Sequence, residues 1–389
     1  MHYDFDTITE RRGTNAIKFD LAKRRGKPED ALPLWVADMD FPTAPEILEE
    51  LHKKVNHGIF GYSACDESFF EAVKKWQKEE HNFDFERREV VTTPGVVFAI
   101  SCAVRAFSKE GEGVIIQPPV YYPFKNMVEK NGRVVVENPL FEKDGKWHIN
   151  FDDLEQKIEE SKARLLIFCS PHNPVGRVWT KEELLRVAQI CEKHNVIVFS
   201  DEIHNDFVIP PNQHTVFSTI SPWAAEHSVV STAASKTFNL AGLQFSVNFI
   251  KNPTIRAQFR TELDKTGYDE PSIMGLVATK AAYEFGKPWL NALRSHLNEN
   301  LTFLRSFLKE KLPFVRLIEP EGTYLIWLDF SKCGKSDEEI EEIILKKAKL
   351  WLDRGTMFGK EGAFYQRINI ATPKKILEDA LTRLATAFS

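Results

Sequence analysis

The residues of this sequence with the most chemical potential each follow a short apolar run. They supply a tyrosine, an amide, a carboxylate, an imidazole and a lysine: Tyr121, Asn173, Asp201, His204 and Lys236. A lysine amine can attack a carbonyl carbon or take up a proton, and a buried carboxylate can hold a proton on a partner. Each residue alone is weak evidence, but together they form a candidate site with complementary chemistry.

The apolar runs that precede these residues have the composition of buried strands. They are continuous and rich in β-branched residues, which is typical of a parallel sheet covered on both faces. Amphipathic stretches separate them, so the pattern predicts βαβ units and an α/β fold. In such a sheet, ligands bind beyond the carboxyl ends of the strands. We predict strands at 113–117, 133–137, 164–170, 195–200, 228–232 and 245–250, and helices at 44–55, 67–80, 96–107 and 181–194.

A further candidate element is an anion site at the start of a helix. Thr92-Thr93-Pro94-Gly95 leads into VVFAISCAV, with Gly95 next to the predicted helix start. Free N–H groups and the helix dipole favour an anion at such a terminus. A plain turn with an N-cap explains the same residues, and on this motif alone it is the favoured interpretation.

Composition limits the class of protein. The chain has 389 residues, of which 43% are hydrophobic, and its net charge is −5, which does not favour a nucleic-acid partner. Five scattered cysteines without a CxxC pair argue against a disulfide framework and a thiolate metal site, and we expect no metal. The N-terminus lacks the pattern of a secretory signal and no apolar run is long enough to span a bilayer, so we expect a cytoplasmic protein without a membrane partner.

The candidate residues match the needs of pyridoxal 5'-phosphate (PLP), which requires a lysine for its Schiff base, an acid at the pyridine nitrogen and donors around its phosphate. Three motifs carry a more specific resemblance: SPHNPVGR (170–177), DEIHND (201–206) and SKTFNLAGLQ (235–244). With them the sequence resembles the fold-type-I PLP family of aspartate aminotransferase. PLWVADMDFPTAP (33–45) and PPVYYPF (118–124) resemble its C–S lyase branch, the MalY and PatB type of cystathionine β-lyases. The resemblance covers essentially the whole chain.

The resemblance implies a role for each residue of the core trio. Lys236 is expected to form the Schiff base with PLP and to abstract the substrate Cα proton. Asp201 is expected to pair with the pyridine nitrogen, and Asn173 to donate to the phenolic oxygen. His204 stands where aminotransferases usually carry a tyrosine, a departure that leaves its role open.

The same resemblance implies contacts to the cofactor ring and phosphate. Tyr121 is expected to stack on the ring, although the adjacent Tyr122 is the alternative stacking residue. The phosphate would contact a set of residues that includes a tyrosine from the neighbouring subunit, which implies a homodimer with shared active sites. This set is the backbone of Gly95 and Val96, the Ser235 hydroxyl and Tyr62.

Two further positions concern the phosphate charge and the substrate. Aminotransferases of this fold commonly place an arginine eight residues after the lysine, where this sequence has Gln244, so cofactor retention is expected to be weaker. Arg367 matches the arginine that binds the substrate α-carboxylate, and a guanidinium fork suits a carboxylate. The backbone of Ala37 is expected near the same carboxylate.

The expected fold is therefore an α/β large domain with a mostly parallel central sheet, the aminotransferase fold type I, and a smaller α+β domain built from both termini. The predicted boundaries are 1–50 for the N-terminal part of the small domain, 51–285 for the large domain and 286–389 for the C-terminal part. Within the last part we predict helices at about 286–311 and 336–350 and strands at 323–330 and 366–371.

The implied activity is β-elimination from L-cystathionine or a cysteine S-conjugate, giving a thiol such as homocysteine, pyruvate and ammonia. An aminotransferase acting on aromatic or other apolar amino acids is the first alternative. A regulatory or binding protein that uses the fold without catalysis is the second alternative, although a regulator of this type would normally carry a DNA-reading domain ahead of the fold.

Overall fold

The computed structural model describes residues 3–389, which form fifteen strands in four sheets. The strands are β1 (Leu32–Pro33), β2 (Val90–Thr93), β3 (Gly113–Ile116), β4 (Val134–Glu137), β5 (Phe141–Lys143), β6 (Lys146–His148), β7 (Leu165–Cys169), β8 (Ile197–Asp201), β9 (Ser228–Thr232), β10 (Ser246–Phe249), β11 (Arg316–Leu317), β12 (Leu325–Asp329), β13 (Leu350–Trp351), β14 (Asp353–Arg354) and β15 (Tyr365–Asn369).

Fourteen α-helices lie in the same described part of the chain. Several begin at a capping residue that the sequence supplies, as where the Thr180 hydroxyl accepts from the Glu183 backbone N–H. The helices are α1 (Ile17–Asp20), α2 (Pro45–His57), α3 (Glu67–His81), α4 (Val96–Phe107), α5 (Pro123–Lys130), α6 (Phe151–Ser161), α7 (Lys181–His194), α8 (Pro222–Glu226), α9 (Ala234–Thr237), α10 (Pro253–Asp264), α11 (Ile273–Phe285), α12 (Lys287–Lys311), α13 (Asp337–Glu342) and α14 (Lys374–Phe388).

A seven-stranded sheet forms the centre of the fold. Its strand order is β2-β10-β9-β8-β7-β3-β4. The five strands from β9 to β4 run parallel, and β10 runs antiparallel to both of its neighbours. The prediction of an α/β fold with a mostly parallel sheet is confirmed.

The central sheet is buried on both faces. Along β7, Leu165 and Ile167 pack into one apolar cluster, whereas Leu166 and Phe168 pack into another on the opposite face. Successive side chains of a strand point to opposite sides, so a continuous apolar run requires two covered faces. Helices α4 and α10 contribute to the first cluster and α7 and α11 to the second, which explains why the strand sequences show no polar alternation.

The C-terminal part of the chain forms a second, antiparallel sheet of order β11-β12-β15-β14. The N-terminal segment joins this part, because β1 pairs with β13 in parallel. A small apolar cluster around Trp35 and Trp351 holds the segment in place. These contacts support the proposed division at 1–50, 51–285 and 286–389, which stays a prediction.

One predicted helix ends earlier than expected. The stretch predicted as a helix over 336–350 forms α13 only as far as Glu342, continues as a π-helix at Ile343–Lys347 and ends in strand β13. Lys349 has a φ of 52°, a left-handed conformation that stops the helix before β13 pairs with β1. Tertiary pairing therefore overrides the local helical pattern. Within residues 3–389, the helices are all too short or too polar to cross a membrane.

Candidate functional site

A cavity of about 560 Å³ opens at the carboxyl ends of the parallel strands. Nine of the predicted site residues line it: Ala37, Gly95, Val96, Tyr121, Asn173, Asp201, His204, Ser235 and Lys236. Arg367 lies directly behind this lining, and Tyr62 lies outside it. A larger cleft of about 1350 Å³, lined by His81 and Arg294, contains none of the predicted site residues. The smaller cavity is the candidate functional site.

Lys236 lies in the short helix α9, directly after strand β9. Its Nζ donates a 2.6 Å hydrogen bond to the Ala37 carbonyl oxygen. Burial lowers the pKa of Lys236 to about 8, the charge of Asp38 opposes this shift, and the charge of Arg367 adds to it. A substantial fraction of the amine is thus uncharged at mildly alkaline pH, the form that can act as nucleophile or base.

Asp201 ends strand β8 and presents its carboxyl group to the same cavity. Its Oδ1 accepts from the Ile203 backbone N–H at 3.1 Å, and its Oδ2 has no hydrogen-bond partner among residues 3–389. Burial raises the pKa of Asp201 to about 7, against the effects of that hydrogen bond and of the Lys236 charge. A buried carboxyl group with a free oxygen suits a cationic N–H partner in the cavity.

Asn173 and Arg367 form a hydrogen-bonded pair at the cavity wall. The Nη1 of Arg367 donates to Asn173 Oδ1 at 2.9 Å, and its Nη2 donates to the Trp35 carbonyl oxygen at 2.7 Å. Asp353 forms a buried ion pair with the same guanidinium, although burial still keeps the pKa of Asp353 above its ordinary value. The buried Nε of Arg367 has no partner in the described chain, so the fork keeps a donor for a ligand.

His204 and Tyr121 complete the walls of the cavity. The Nδ1 of His204 is buried without a hydrogen-bond partner among the described residues. Burial, together with the charges of Lys236 and Arg367, lowers the pKa of His204 to about 3, so the imidazole is neutral. Burial also raises the pKa of Tyr121 above its ordinary value, so its phenol stays protonated. Tyr121 lines the cavity and Tyr122 does not, which favours Tyr121 as the stacking residue.

The predicted anion site lies at the N-terminus of α4. Gly95 precedes the helix with a φ of 147°, a conformation that favours glycine, and a Cβ built there meets no atom within 4 Å. The first residues of α4, beginning at Val96, line the cavity together with Ser235 and Gln244, and the first N–H groups of a helix have no partner within that helix. The arrangement suits an anion, and Gln244 adds an amide to it without adding charge.

Tyr62 is the one predicted site residue far from any partner within its own chain. Its side chain is 95% exposed, and Ile59 and Phe60 beside it are also exposed. Tyr62 does not line the cavity of its own chain, and its exposed side chain is free to contact a second molecule.

Asp38 was not predicted as a site residue, although it is the charge that acts most strongly on Lys236. Arg11 binds both Asp38 oxygens, at 3.1 and 2.6 Å, and Lys18 lies 3.5 Å away. Burial alone would raise the pKa of Asp38, but the Arg11 hydrogen bond and the charges of Lys18 and Lys236 lower it. The only sequence signal was its place in the ADMD motif, next to Ala37.

The comparisons with known proteins agree with this geometry. The family model described as aminotransferase class I and II matches residues 29–384. The chain belongs to the aminotransferase class I and II family. It is 42% identical to the cystathionine beta-lyase PatB of Bacillus subtilis, across 99% of this chain and 100% of that protein.

Two solved structures share the fold throughout. Cystalysin from Treponema denticola, which contains a pyridoxal 5'-phosphate cofactor, matches with a TM-score of 0.96 and 38% identity over 100% of this chain and 99% of that chain. The PLP-bound C-S lyase from Staphylococcus hominis in complex with L-cycloserine matches with a TM-score of 0.93 and 32% identity, over 100% and 99% of the two chains. The recognised family and fold are thereby confirmed.

The residues present fit PLP. The free Asp201 oxygen and the lysine amine face one cavity, and the open N-terminus of α4 can take a phosphate. The unpartnered His204 Nδ1 gives a further polar contact. Each of these groups lacks a complete set of partners within residues 3–389, as expected where a ligand supplies the missing ones.

Proposed function

We propose that this protein is a PLP-dependent carbon–sulfur β-lyase. It cleaves L-cystathionine or cysteine S-conjugates to a thiol, homocysteine in the first case, with pyruvate and ammonia. The observation that carries the proposal is the shared cavity, in which the Lys236 amine, the Asp201 carboxyl group and the Asn173–Arg367 pair converge. The full-length similarity to PatB and to the Staphylococcus hominis C-S lyase supports β-elimination rather than another reaction of the family.

Several residues around the cavity would hold the cofactor in this proposal. Lys236 would bond to it, Asp201 would pair with its pyridine nitrogen, and Asn173 would donate to its phenolic oxygen through Nδ2. Tyr121 would stack on the ring. The phosphate would be bound by donors that add no full positive charge: the N–H groups at Gly95 and Val96, the Ser235 hydroxyl and the Tyr62 phenol of a second subunit.

Within the reaction, PLP supplies an electron-withdrawing ring that accepts the electron pair left when the substrate Cα loses its proton. Arg367 and the backbone at Ala37 orient the substrate α-carboxylate, with the Arg367 Nε as the free donor. Once the substrate amine has displaced Lys236 from the cofactor, the freed lysine amine would take the Cα proton and return a proton to the departing sulfur, while the C–S bond breaks with its electron pair on sulfur. Asp201 keeps the pyridine nitrogen protonated, so the ring remains able to accept electrons.

We also propose a homodimer with shared active sites in the cytoplasm. The exposed run that contains Ile59, Phe60 and Tyr62 supports the dimer, because adjacent large apolar side chains in water usually mark an interface. All five cysteines are free, which suits a reducing compartment.

The test is an assay with L-cystathionine and no keto acid. Pyruvate and free thiol in equal amounts are expected, whereas turnover that requires an added keto acid would refute the lyase and favour the aminotransferase alternative. Lys236→Ala is the matched control. It is expected to abolish both the yellow PLP absorbance of the covalent complex and the release of thiol, while a pure binding protein would keep its function.

A further inference from the structure

Arg25 lies in a turn at Lys23–Arg25 of the N-terminal segment, and its guanidinium rests on an aromatic platform. The guanidinium carbon is 4.7 Å from the Trp35 ring centroid. The Trp35 ring in turn stacks on Trp351, with centroids 4.4 Å apart. A guanidinium on such a surface is held by cation–π attraction, while its edge N–H groups stay free to donate.

The platform connects Arg25 to the substrate end of the cavity. The carbonyl oxygen of Trp35 accepts from the Arg367 Nη2 at 2.7 Å. Both arginines therefore contact Trp35. Arg25 contacts its ring, and Arg367, the proposed carboxylate-binding residue, contacts its carbonyl oxygen. A single residue, Trp35, therefore separates Arg25 from the arginine assigned to the substrate α-carboxylate.

Tyr122 lies within electrostatic reach of both arginines. Burial raises the pKa of Tyr122 and the charge of Asp353 adds to this rise, whereas the charges of Arg367 and Arg25 act against it. The Tyr122 ring lies 5.4 Å from that of Tyr121, which lines the cavity. The route from the cavity to Arg25 thus passes along aromatic side chains.

The charge of Arg25 has no internal anion to neutralise it. Its neighbours Lys23 and Lys27 each pair with a glutamate, at 4.0 and 2.8 Å, whereas Arg25 has no carboxylate within 4.0 Å in the described part of the chain. The deeper Arg367 differs, because it pairs with Asp353. Arg25 is therefore an exposed cation that rests on the Trp35 ring and that no carboxylate neutralises in the described part of the chain.

We propose that Arg25, together with Tyr122, binds an anionic group at the far end of the substrate's sulfur substituent. The inference rests on the proposed lyase function and narrows its substrate class to cysteine S-conjugates whose leaving thiol carries a carboxylate. L-cystathionine has this form, since its homocysteine portion ends in a second carboxylate. An uncharged S-alkyl cysteine offers the same scissile bond and no partner for Arg25.

The first experiment compares L-cystathionine with S-ethyl-L-cysteine in the holoenzyme. Arg25→Gln is expected to lower kcat/KM for L-cystathionine about tenfold or more, the usual loss for a hydrogen bond to a charged group. The loss should fall on KM, because the distal carboxylate is remote from the breaking bond. S-ethyl-L-cysteine should change less than about twofold. Arg24→Gln, a change of the adjacent exposed arginine in the same turn, is the matched control and should alter neither substrate.

A charge reversal extends the test. Arg25→Glu is expected to shift the ratio of kcat/KM towards S-(2-aminoethyl)-L-cysteine, whose substituent is cationic, and Arg25→Lys should retain part of the preference for L-cystathionine. Equal losses for all substrates, or no loss for L-cystathionine, would overturn the assignment and leave Arg25 as a structural cover for Trp35. If the wild-type protein releases thiol from none of these substrates, the proposed lyase function itself fails.

Discussion

Removing the carboxylate of Asp38 should make Lys236 more acidic. Burial lowers the pKa of Lys236 to about 8, and Asp38 is the nearby charge that opposes this most strongly. In Asp38→Asn the opposing charge disappears, and the cations Arg11 and Lys18, which bind Asp38, stay nearby. Both changes disfavour the ammonium form, so the pKa must fall.

The size of the effect follows from the loss of one neighbouring opposite charge. Such a loss shifts a pKa by about one unit or more. With a pKa of about 8, roughly one Lys236 in ten is uncharged near pH 7, and a fall of one unit raises this to about one half. The reactivity of the amine near neutral pH should therefore increase about fivefold.

Competitive acetylation of the cofactor-free protein with acetic anhydride, read by mass spectrometry of the Lys236 peptide across a pH series, measures this pKa directly. Asp40→Asn is the matched control, because Asp40 pairs with Arg11 at 2.8 Å and with Lys18 at 2.8 Å but is not among the charges that act on Lys236. An unchanged or raised midpoint in Asp38→Asn, or an equal shift in Asp40→Asn, would refute the reasoning.

Three further perturbations address the cofactor, the dimer and pH. Gln244→Arg adds a cation at the proposed phosphate site, and PLP should dissociate about tenfold more slowly in a dilution assay followed by absorbance. Tyr62→Ala and Lys236→Ala homodimers should each be nearly inactive, yet refolding an equal mixture should restore about a quarter of wild-type activity, since half of the dimers then hold one intact site. Burial raises the pKa of Asp201 to about 7, so the cofactor-free protein loses stability as pH rises from about 4 to 7. Near pH 8, the free energy of unfolding of Asp201→Asn, measured in urea, should exceed that of wild type by up to about 4 kcal/mol.

Each of these predictions has a control and a contrary result. Gln244→Glu should release PLP faster than wild type, and faster release from Gln244→Arg would contradict the charge argument. Mixing Tyr62→Ala with the double variant Tyr62→Ala/Lys236→Ala should restore nothing, because no chain then supplies Tyr62. The absence of recovery in the mixture of Tyr62→Ala with Lys236→Ala would show that the sites are not shared. For Asp201→Asn, the gain should vanish near pH 4, and a gain that does not depend on pH would exclude carboxylate burial as its cause.

The sequence was sufficient for the elements whose pattern is local. The apolar runs at 113–117 and 164–170 became β3 and β7, and the residues that follow the strands came together because parallel strands end at one edge of the sheet. Strand β2 was missed, because its four residues, Val90–Thr93, are half polar and pair only with β10. The sequence of such a short segment does not indicate that it pairs with a distant strand.

The electrostatics of the site could not be predicted in the same way. Asp38, Arg11 and Lys18 converge beside Lys236 through contacts between distant parts of the chain, and nothing in their spacing indicates it. Arg25 is a similar case, since its aromatic platform forms only when β1 pairs with β13. The specific roles of the site residues came from the resemblance to the family and stay predictions.

The reversed strand β10 has a consequence for the order in which the protein is made. It lies between β2 and β9. Ser246 of β10 therefore pairs with Thr93 of β2, which lies 153 residues earlier in the chain. Strand β2, which leads into the turn that carries Gly95, is therefore held in the sheet only by residues synthesised long after it. A nascent chain that ends before β10 holds Lys236 but lacks the anchored cradle for the phosphate. Because such distant pairings form late, acquisition of the cofactor should follow the synthesis and pairing of β10.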